Sequence, residues 1–252
     1  YNGLFKGHGG KGADLRRAFL LSIPRAEINE KLIAPINPSV VVLGSTFVSP
    51  GEEGYDRLVA NNGSGFYQGA QADLNAKALR LVKKHFPTAS ATVSPVDVKM
   101  WFANTSGLRV STSQLIKAEA KKAGFNVDNT GVSDFPAKMK SSDYDLTLFA
   151  FGLTSISQAT ATAIYKTDGG NNSWGWGTPA LDTIMSNLQS NYLTAAQVNA
   201  ERLKADKIII ANAYGLPLYQ NVSITAWSKA LKNVKPAPLS PTTVWNYWEW
   251  SY

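Results

Sequence analysis

Few side chains in this sequence belong to the types that perform acid–base, nucleophilic or metal chemistry. The two histidines are His8, within a glycine-rich stretch, and His85, near the end of a predicted helix. Neither has a second ligand-type residue four positions away, the spacing that places two metal ligands on one helix face. Neither has a carboxylate beside it in sequence. We therefore expect His85 to be a half-buried helix residue without a functional role.

The carboxylates give no clearer sign of catalysis. Glu52 and Glu53 adjoin in a predicted loop, and Asp143 and Asp145 flank Tyr144 at the start of a predicted strand, where a solvated turn is expected. The chain has no cysteine, which excludes disulfides, thiolate metal sites and a cysteine nucleophile. Because paired glycosidase carboxylates come from distant segments, a hydrolase stays open as an alternative. We predict no catalytic residues, no metal site and no cofactor.

The aromatic composition fits either a surface that binds an organic ligand or a tryptophan-rich core. Aromatic residues make up 11% of the 252 residues, including 7 tryptophans. Such rings offer apolar area with a polar tip, although a tryptophan-rich core explains the same composition equally well. The net charge is +7, but its densest cluster, Lys117, Lys121 and Lys122, surrounds Glu119 on a predicted helix. This pattern indicates a solvated helix face, so we predict no nucleic-acid partner.

Periodicity predicts helices and strands in alternation, as in an α/β layer with parallel strands. A first helix is expected from Asp14 and a second from Asp73 to just before Pro87. The central run is predicted as strand 98–103, helix 112–123 ended by Gly124, strand 125–128, helix 135–141 and strand 144–151.

The rest of the chain is predicted to contain further helices and then short strands. Helices are expected at 158–165, from Thr178 and from Thr194, whose spacing to Gln197 matches a capping box. Strands are predicted at 216–220, 223–227 and 245–250, the last after a proline-containing linker. No stretch approaches the ~20 apolar residues of a membrane span. No signal peptide is visible, so we expect the sequence to begin within a longer protein.

Five motifs resemble those of the family 5 extracellular solute-binding proteins. Residues 13–28, ADLRRAFLLSIPRAEI, are similar to the helix that opens the C-terminal lobe of that family. Arg17, Ala18, Arg25 and Ile28 match, whereas Pro24 stands where the family usually has aspartate. The other four similar stretches are 98–127, 142–152, the pair 170–172 with 179–182, and 216–219.

The resemblance extends over nearly the whole chain and implies the C-terminal portion of a protein about twice as long. The implied fold is α/β, a periplasmic-binding-protein-like lobe of class II with a mixed sheet flanked by helices. The implied organisation is a hinge or loop at 1–12 and the lobe at 13–234. Residues 235–252 would form a linker and a terminal strand that returns to the N-terminal lobe.

The resemblance also implies a function without catalysis. Family members capture oligopeptides outside the cytoplasm, in the periplasm or as cell-surface lipoproteins, and deliver them to the membrane permease of an ABC importer. Two lobes close over the ligand. The alternatives are the same fold binding another solute, such as an oligosaccharide or a metal chelate, and a hydrolase of another class.

The implied ligand-binding residues follow the strand that ends near residue 151. Phe151 stands at the family's cleft-lining tryptophan, and Thr154 stands where many members have an aspartate that pairs with the ligand's amino terminus. We therefore expect binding that does not depend on a free ligand amine. The remaining candidates are Gly152 and Ser155 beside them, Phe135 near another aromatic cleft position, and Trp174 and Trp176, which composition alone suggests.

Overall fold

The computed structural model describes residues 3–141, 143–151, 159–190, 192–222, 224–235 and 242–252. Within them the α-helices are α1 Gly10–Leu21, α2 Arg25–Ile28, α3 Tyr55–Val59, α4 Gln71–Lys83, α5 Gly107–Ala120, α6 Phe135–Lys138, α7 Ala159–Tyr165, α8 Pro179–Ser190 and α9 Ala195–Asn212. The strands are β1 Val96–Ala103, β2 Phe125–Val132 and β3 Leu146–Leu148. A π-helix spans Asn29–Ile33, and 3₁₀ helices span Ser64–Tyr67, Lys121–Ala123 and Thr242–Glu249.

The three strands form one sheet in the order β2-β1-β3 with parallel pairing throughout. Val98 lies opposite Val127, and Phe102 lies opposite Leu148. The chain crosses from β1 to β2 through α5, as parallel pairing requires. The predicted α/β layer is therefore confirmed. The resemblance implied a mixed sheet, whereas the sheet in the part of the chain that the structure describes contains parallel strands alone.

Helix α5 illustrates how local sequence sets the boundaries of an element. It begins five residues before the predicted start, because Ser106 caps it: the Ser106 Oγ accepts a 3.3 Å hydrogen bond from the Arg109 N–H. It ends in a 3₁₀ turn and then at Gly124, whose φ of +89° continues the chain in the left-handed region. The predicted glycine stop is confirmed.

The main hydrophobic core lies between the sheet and helices α1, α4 and α5. Leu15 of α1, Val82 of α4, Ile116 of α5 and Phe125 of β2 are all fully buried. Burying each such side chain contributes about 1.5–3 kcal/mol. A second cluster, formed by Leu181, Ile184, Met185, Leu188, Ala205 and Ile209, joins α8 to α9. The capping box predicted at the start of α9 is confirmed, with Thr194 and Gln197 bonded reciprocally.

The arginines of the α1 motif bind backbone carbonyls. Arg17 donates to the Ala211 carbonyl at 2.7 Å, and Arg16 donates to the Asn212 carbonyl at 3.0 Å. Both carbonyls lie at the C-terminal end of α9, where a cation is favourable. Buried Arg25 donates to the Leu43 and Tyr67 carbonyls, and burial lowers its pKa to about 10, so it stays charged at neutral pH. The motif thus fixes the packing of α1.

Three expectations from the sequence are wrong in detail. Residues 242–249 form a 3₁₀ helix where the terminal strand was predicted. The described residues of 216–227 contain no strand. His85 is half-buried as expected, and its Nε2 lies 3.0 Å from the Oδ2 of Asp14, a residue 71 positions away in the sequence. Helix α1 also begins at Gly10, inside the predicted 1–12 loop.

Candidate functional site

Four aromatic side chains meet at the carboxyl edge of the sheet, and we call them the aromatic cluster: Phe135, Phe149, Phe151 and Trp174. Phe149 is central, with its ring centroid 4.7 Å from that of Phe151, 5.9 Å from Phe135 and 6.2 Å from Trp174. Phe149 and Phe151 follow the end of β3, and Phe135 follows the end of β2. In parallel α/β sheets, ligands bind outside the carboxyl ends of the strands.

The rings of the aromatic cluster differ in their exposure to solvent. Phe135 is buried and packs with Val132 and Met139, whereas Phe151 is 39% exposed. The Trp174 indole Nε1 donates a 3.3 Å hydrogen bond to the Thr147 Oγ1, which orients its ring against β3. The cluster therefore presents apolar rings whose positions are set by the sheet.

Arg109 brings a positive charge to the aromatic cluster. Its guanidinium lies 5.8 Å from the centroid of the Phe149 ring, within the range of a cation–π contact. It stands in the first turn of α5, where the helix dipole adds further positive potential. Phenyl rings, an indole and a guanidinium are not acids, bases or nucleophiles at neutral pH. The arrangement can hold an organic ligand that has apolar groups and a carboxylate.

The structure brings three of the predicted site residues together, namely Phe135, Phe151 and Trp174. Gly152, Thr154 and Ser155, which follow Phe151 in the sequence, lie outside the described residues. Their roles stay predictions.

Trp176 lies in a different group of side chains, which we call the Trp176 cluster: His8, Arg16, Trp176 and Tyr214. The Trp176 ring stacks on Tyr214 with centroids 4.8 Å apart and planes inclined by 16°. The Arg16 guanidinium lies 4.6 Å from the Trp176 ring, and the His8 Nδ1 lies 2.9 Å from the Tyr214 hydroxyl.

The separation of the two tryptophans follows from the residue between them. Gly175 has a φ of +67°, a conformation that side chains rarely allow, and it turns the chain between Trp174 and Trp176. The Asn172 Nδ2 donates to the Lys166 carbonyl at 2.9 Å and to the Trp176 carbonyl at 2.5 Å, which holds the loop in place. A role for Trp176 in ligand contact stays a prediction.

Sequence reasoning missed two members of this site. Phe149 lies two residues before Phe151, so an extended chain presents both rings on one side, and this spacing was an available signal. Arg109 was overlooked because α5 was predicted to begin after it.

The described ranges contain no group of three or more histidine, cysteine, aspartate or glutamate residues arranged to hold a metal ion. They also contain no helix that is long and apolar enough to cross a membrane.

The sequence matches no family model and no curated protein, but solved structures share its fold. The periplasmic EDTA-binding protein EppA superposes with a TM-score of 0.79 at 20% identity over 95% of this chain. The Escherichia coli murein tripeptide binding protein MppA gives 0.71 at 18% identity over 88% of the chain. The Bacillus subtilis oligopeptide-binding protein AppA, solved with a nonapeptide, gives 0.72 at 15% identity over 98%.

The chain spans less than half the length of these three proteins: 45% of EppA, 42% of MppA and 48% of AppA. The chain therefore has the periplasmic-binding-protein-like α/β fold, and it corresponds to less than half the length of each of these neighbours. The resemblance to family 5 solute-binding proteins is confirmed at the level of the fold. At these identities the likeness extends to the fold alone.

Proposed function

We propose that this chain is the C-terminal portion of the solute-binding component of an ABC importer, which captures oligopeptides outside the cytoplasm and delivers them to a membrane permease. The observation that carries the proposal is the aromatic cluster at the carboxyl edge of a parallel sheet, on a fold shared with solute-binding proteins. The protein is not an enzyme in this proposal, because the cluster offers binding surfaces and no acid, base or nucleophile.

In the proposed mechanism, residues 13–234 form one wall of a cleft, with 3–12 as the described part of the hinge. Ligand side chains pack against Phe151 and Trp174, and a ligand carboxylate lies near Arg109. A second lobe closes over the ligand and removes water from these contacts, which shifts the open–closed equilibrium toward the closed form. Residues 235–252 connect to that lobe.

The ligand amine is not the main anchor in this proposal. Thr154 stands at the position where the resemblance leads one to expect an aspartate. An ammonium group taken from water into a closed cleft needs a compensating charge, and a threonine hydroxyl offers only a hydrogen bond. We therefore propose ligands whose binding is carried by side chains and by a carboxylate.

A carboxylate-rich metal chelate is the second candidate ligand. Arg109 beside the aromatic cluster supplies charge for such an anion, and EppA, named for EDTA binding, superposes with a TM-score of 0.79. An oligosaccharide stacked on Trp174 is a third alternative, because sugars bind to indole faces.

A titration followed by nuclear magnetic resonance tests the proposal on the 252-residue chain. One lobe gives only part of the final contacts, so we expect weak binding, with Kd on the order of 1 mM. A pentapeptide should shift the indole N–H signal of Trp174 and the amides of Phe149 and Phe151, and mass spectrometry should find the peptide intact. Arg109→Gln should weaken the shifts. The matched control is Lys117→Gln, on the exposed face of the same helix.

Three other results would contradict the proposal that this chain binds oligopeptides without catalysis. If zinc–EDTA shifts these signals and the pentapeptide does not, the ligand is a chelate. If maltotriose alone does so, the ligand is a sugar. If the peptide is cleaved in a manner that requires the chain, the protein is a hydrolase.

A further inference from the structure

A groove of about 650 Å³ lies on another part of the surface and shares no residue with the aromatic cluster. It runs between α1, the turn at 61–67, the end of α4 and α9, and we call it the α1–α9 groove. Its lining consists of Asp14, Arg17, Asn61, Asn62, Gly63, Phe66, Tyr67, Leu81, Lys84, Lys207, Ile210 and Ala211. Its volume falls within the 300–1,000 Å³ typical of small-molecule sites.

The floor of the groove is apolar. Phe66 is 46% exposed although its ring packs edge-on against Tyr67, with centroids 5.0 Å apart. Leu81 and Ile210 line the same surface. The Tyr67 hydroxyl points to the Ile210 carbonyl at 3.4 Å, and burial raises the pKa of Tyr67 to about 12, so the floor carries no negative charge at neutral pH. A half-exposed phenyl ring in a concave surface offers apolar area to a ligand.

The rim of the groove is cationic. Arg17, Lys84 and Lys207 line it, against Asp14 as the one lining carboxylate. The Asp14 Oδ2 lies 3.0 Å from the His85 Nε2 and 3.5 Å from the Lys84 Nζ. Burial raises the pKa of Asp14, but the hydrogen bond from His85 and the charge of Lys84 outweigh it, so the net pKa is lowered. With Asp14 ionised, three cations face one anion.

We propose that the α1–α9 groove binds a small amphipathic anion that has an apolar body and one carboxylate at its end. The apolar body lies against Phe66, Leu81 and Ile210, and the carboxylate lies between Lys84 and Lys207. Arg17 is held by the Ala211 carbonyl and adds charge from a fixed position. The two lysines are exposed and have long flexible stems, so they can close on the anion without a change in the fold. The inference does not depend on the proposed function.

The test compares octanoate, octylamine and octanol, which have equal chain lengths, in titrations of the 252-residue chain followed by nuclear magnetic resonance. Octanoate should shift the amides of Gly63, Leu81 and Ala211, whereas octylamine should not. In the variant Lys84→Gln/Lys207→Gln the affinity for octanoate should fall about five-fold, since each exposed charge contact is modest. Lys204→Gln is the matched control, because Lys204 lies on the same helix, pairs with Glu201 at 2.6 Å and does not line the groove.

Several results would overturn the inference. Equal binding of octanol would show that the cations play no part, and equal shifts from inorganic phosphate would show that the apolar floor plays none. Unchanged octanoate binding in the double variant, with its spectrum showing an intact fold, would place the ligand elsewhere. Binding to phosphatidylglycerol vesicles without any effect of dissolved octanoate would replace the small anion by a membrane surface.

Discussion

The Ser45 Oγ donates a 2.6 Å hydrogen bond to the Asp206 Oδ2, across 161 positions of the sequence. The same carboxylate accepts from the Thr46 N–H at 3.1 Å and from the Asn62 Nδ2 at 3.2 Å. Asp206 is completely buried, on α9. Because α9 also contacts α1 and α8, this carboxylate joins the long connection before α3 to these helices.

Replacing Asp206 by alanine should cost about 2–4 kcal/mol of unfolding free energy, because the buried donors of Ser45 and Asn62 and the half-buried N–H of Thr46 lose their acceptor. Urea unfolding followed by circular dichroism measures the loss. The control is Asp56→Ala, an exposed carboxylate in α3, which should change stability by less than about 1 kcal/mol. Equal losses in the two variants would show that the Asp206 hydrogen bonds do not stabilise the fold.

The stability due to Asp206 should also depend on pH. Burial raises the pKa of Asp206, opposed by the hydrogen bonds from Ser45, Thr46 and Asn62, and the net pKa lies above its ordinary value. A raised pKa favours the protonated form in the folded state, so this contribution is complete below the unfolded pKa of about 3.9 and is lost as pH rises through the folded pKa. Relative to Asp206→Asn, the native chain should gain stability as the pH falls from 7 to about 4, the range that ends at the unfolded pKa. A constant difference in urea unfolding over that range would contradict the raised pKa.

Gly124 should be the least replaceable of the glycines near α5. A Cβ there would lie 3.1 Å from the Ala89 Cβ and 3.3 Å from the Val82 Cγ1, and its φ is +89°. Gly124→Ala should therefore destabilise the fold by more than about 1 kcal/mol. Gly107→Ala, at the start of the same helix with open space around it, should be neutral or slightly stabilising. Thermal unfolding of the pair checks the sign of each change.

Much of the α/β layer could be predicted from the sequence because its signals are local. Gly124 ends a helix through its own backbone freedom, and Thr194 and Gln197 cap α9 from three positions apart. The parallel order of β1, β2 and β3 follows from the alternation of short apolar strands with helices. Phe151 lies just beyond the carboxyl end of β3, and the ligand contact that the resemblance implies for it stays a prediction.

The rest depends on contacts between distant segments. Nothing near Asp206 in the sequence shows that Ser45 will meet it, and nothing near His85 points to Asp14. The aromatic run 245–250 has the composition of a strand, but a strand also needs a partner of suitable register. In the described chain its neighbour is the segment before residue 235, with one antiparallel bridge from Lys232 to Ser251, and a 3₁₀ helix forms instead.

The C-terminal segment, residues 242–252, should be cleaved before the lobe. Its described contacts are with residues 232–235: buried Asn246 donates to the Asn233 carbonyl at 2.7 Å, the Trp245 indole Nε1 donates to the Lys235 carbonyl at 2.7 Å, and Glu249 pairs with Lys235 at 2.6 Å. Tyr247 and Trp248 are about two-thirds exposed. Chymotrypsin should cut there first, and faster in Asn246→Ala than in the control Asn61→Ala. If α4 is cut as early as this segment, the prediction of a poorly anchored end is wrong.

The two loop tryptophans should separate ligand binding from stability. Trp174 belongs to the aromatic cluster, whereas Trp176 stacks on Tyr214 and lies under the Arg16 guanidinium. Trp174→Leu should therefore abolish the peptide-induced shifts of Phe149 and Phe151. It should lower the unfolding free energy by no more than about 1 kcal/mol, because leucine keeps an apolar contact with these rings and only the hydrogen bond to Thr147 is lost.

Trp176→Leu should have the opposite effect. Loss of the stacked pair and of the cation–π contact should cost about 1–3 kcal/mol, and peptide binding should persist wherever the chain stays folded. Unfolding free energy and peptide binding are measured for both variants by urea unfolding and by titration. The proposal requires Trp174→Leu to lose mainly peptide binding and Trp176→Leu to lose mainly stability. Loss of binding in Trp176→Leu with unchanged stability would place the ligand on the Trp176 cluster, and the aromatic cluster would then be part of the core.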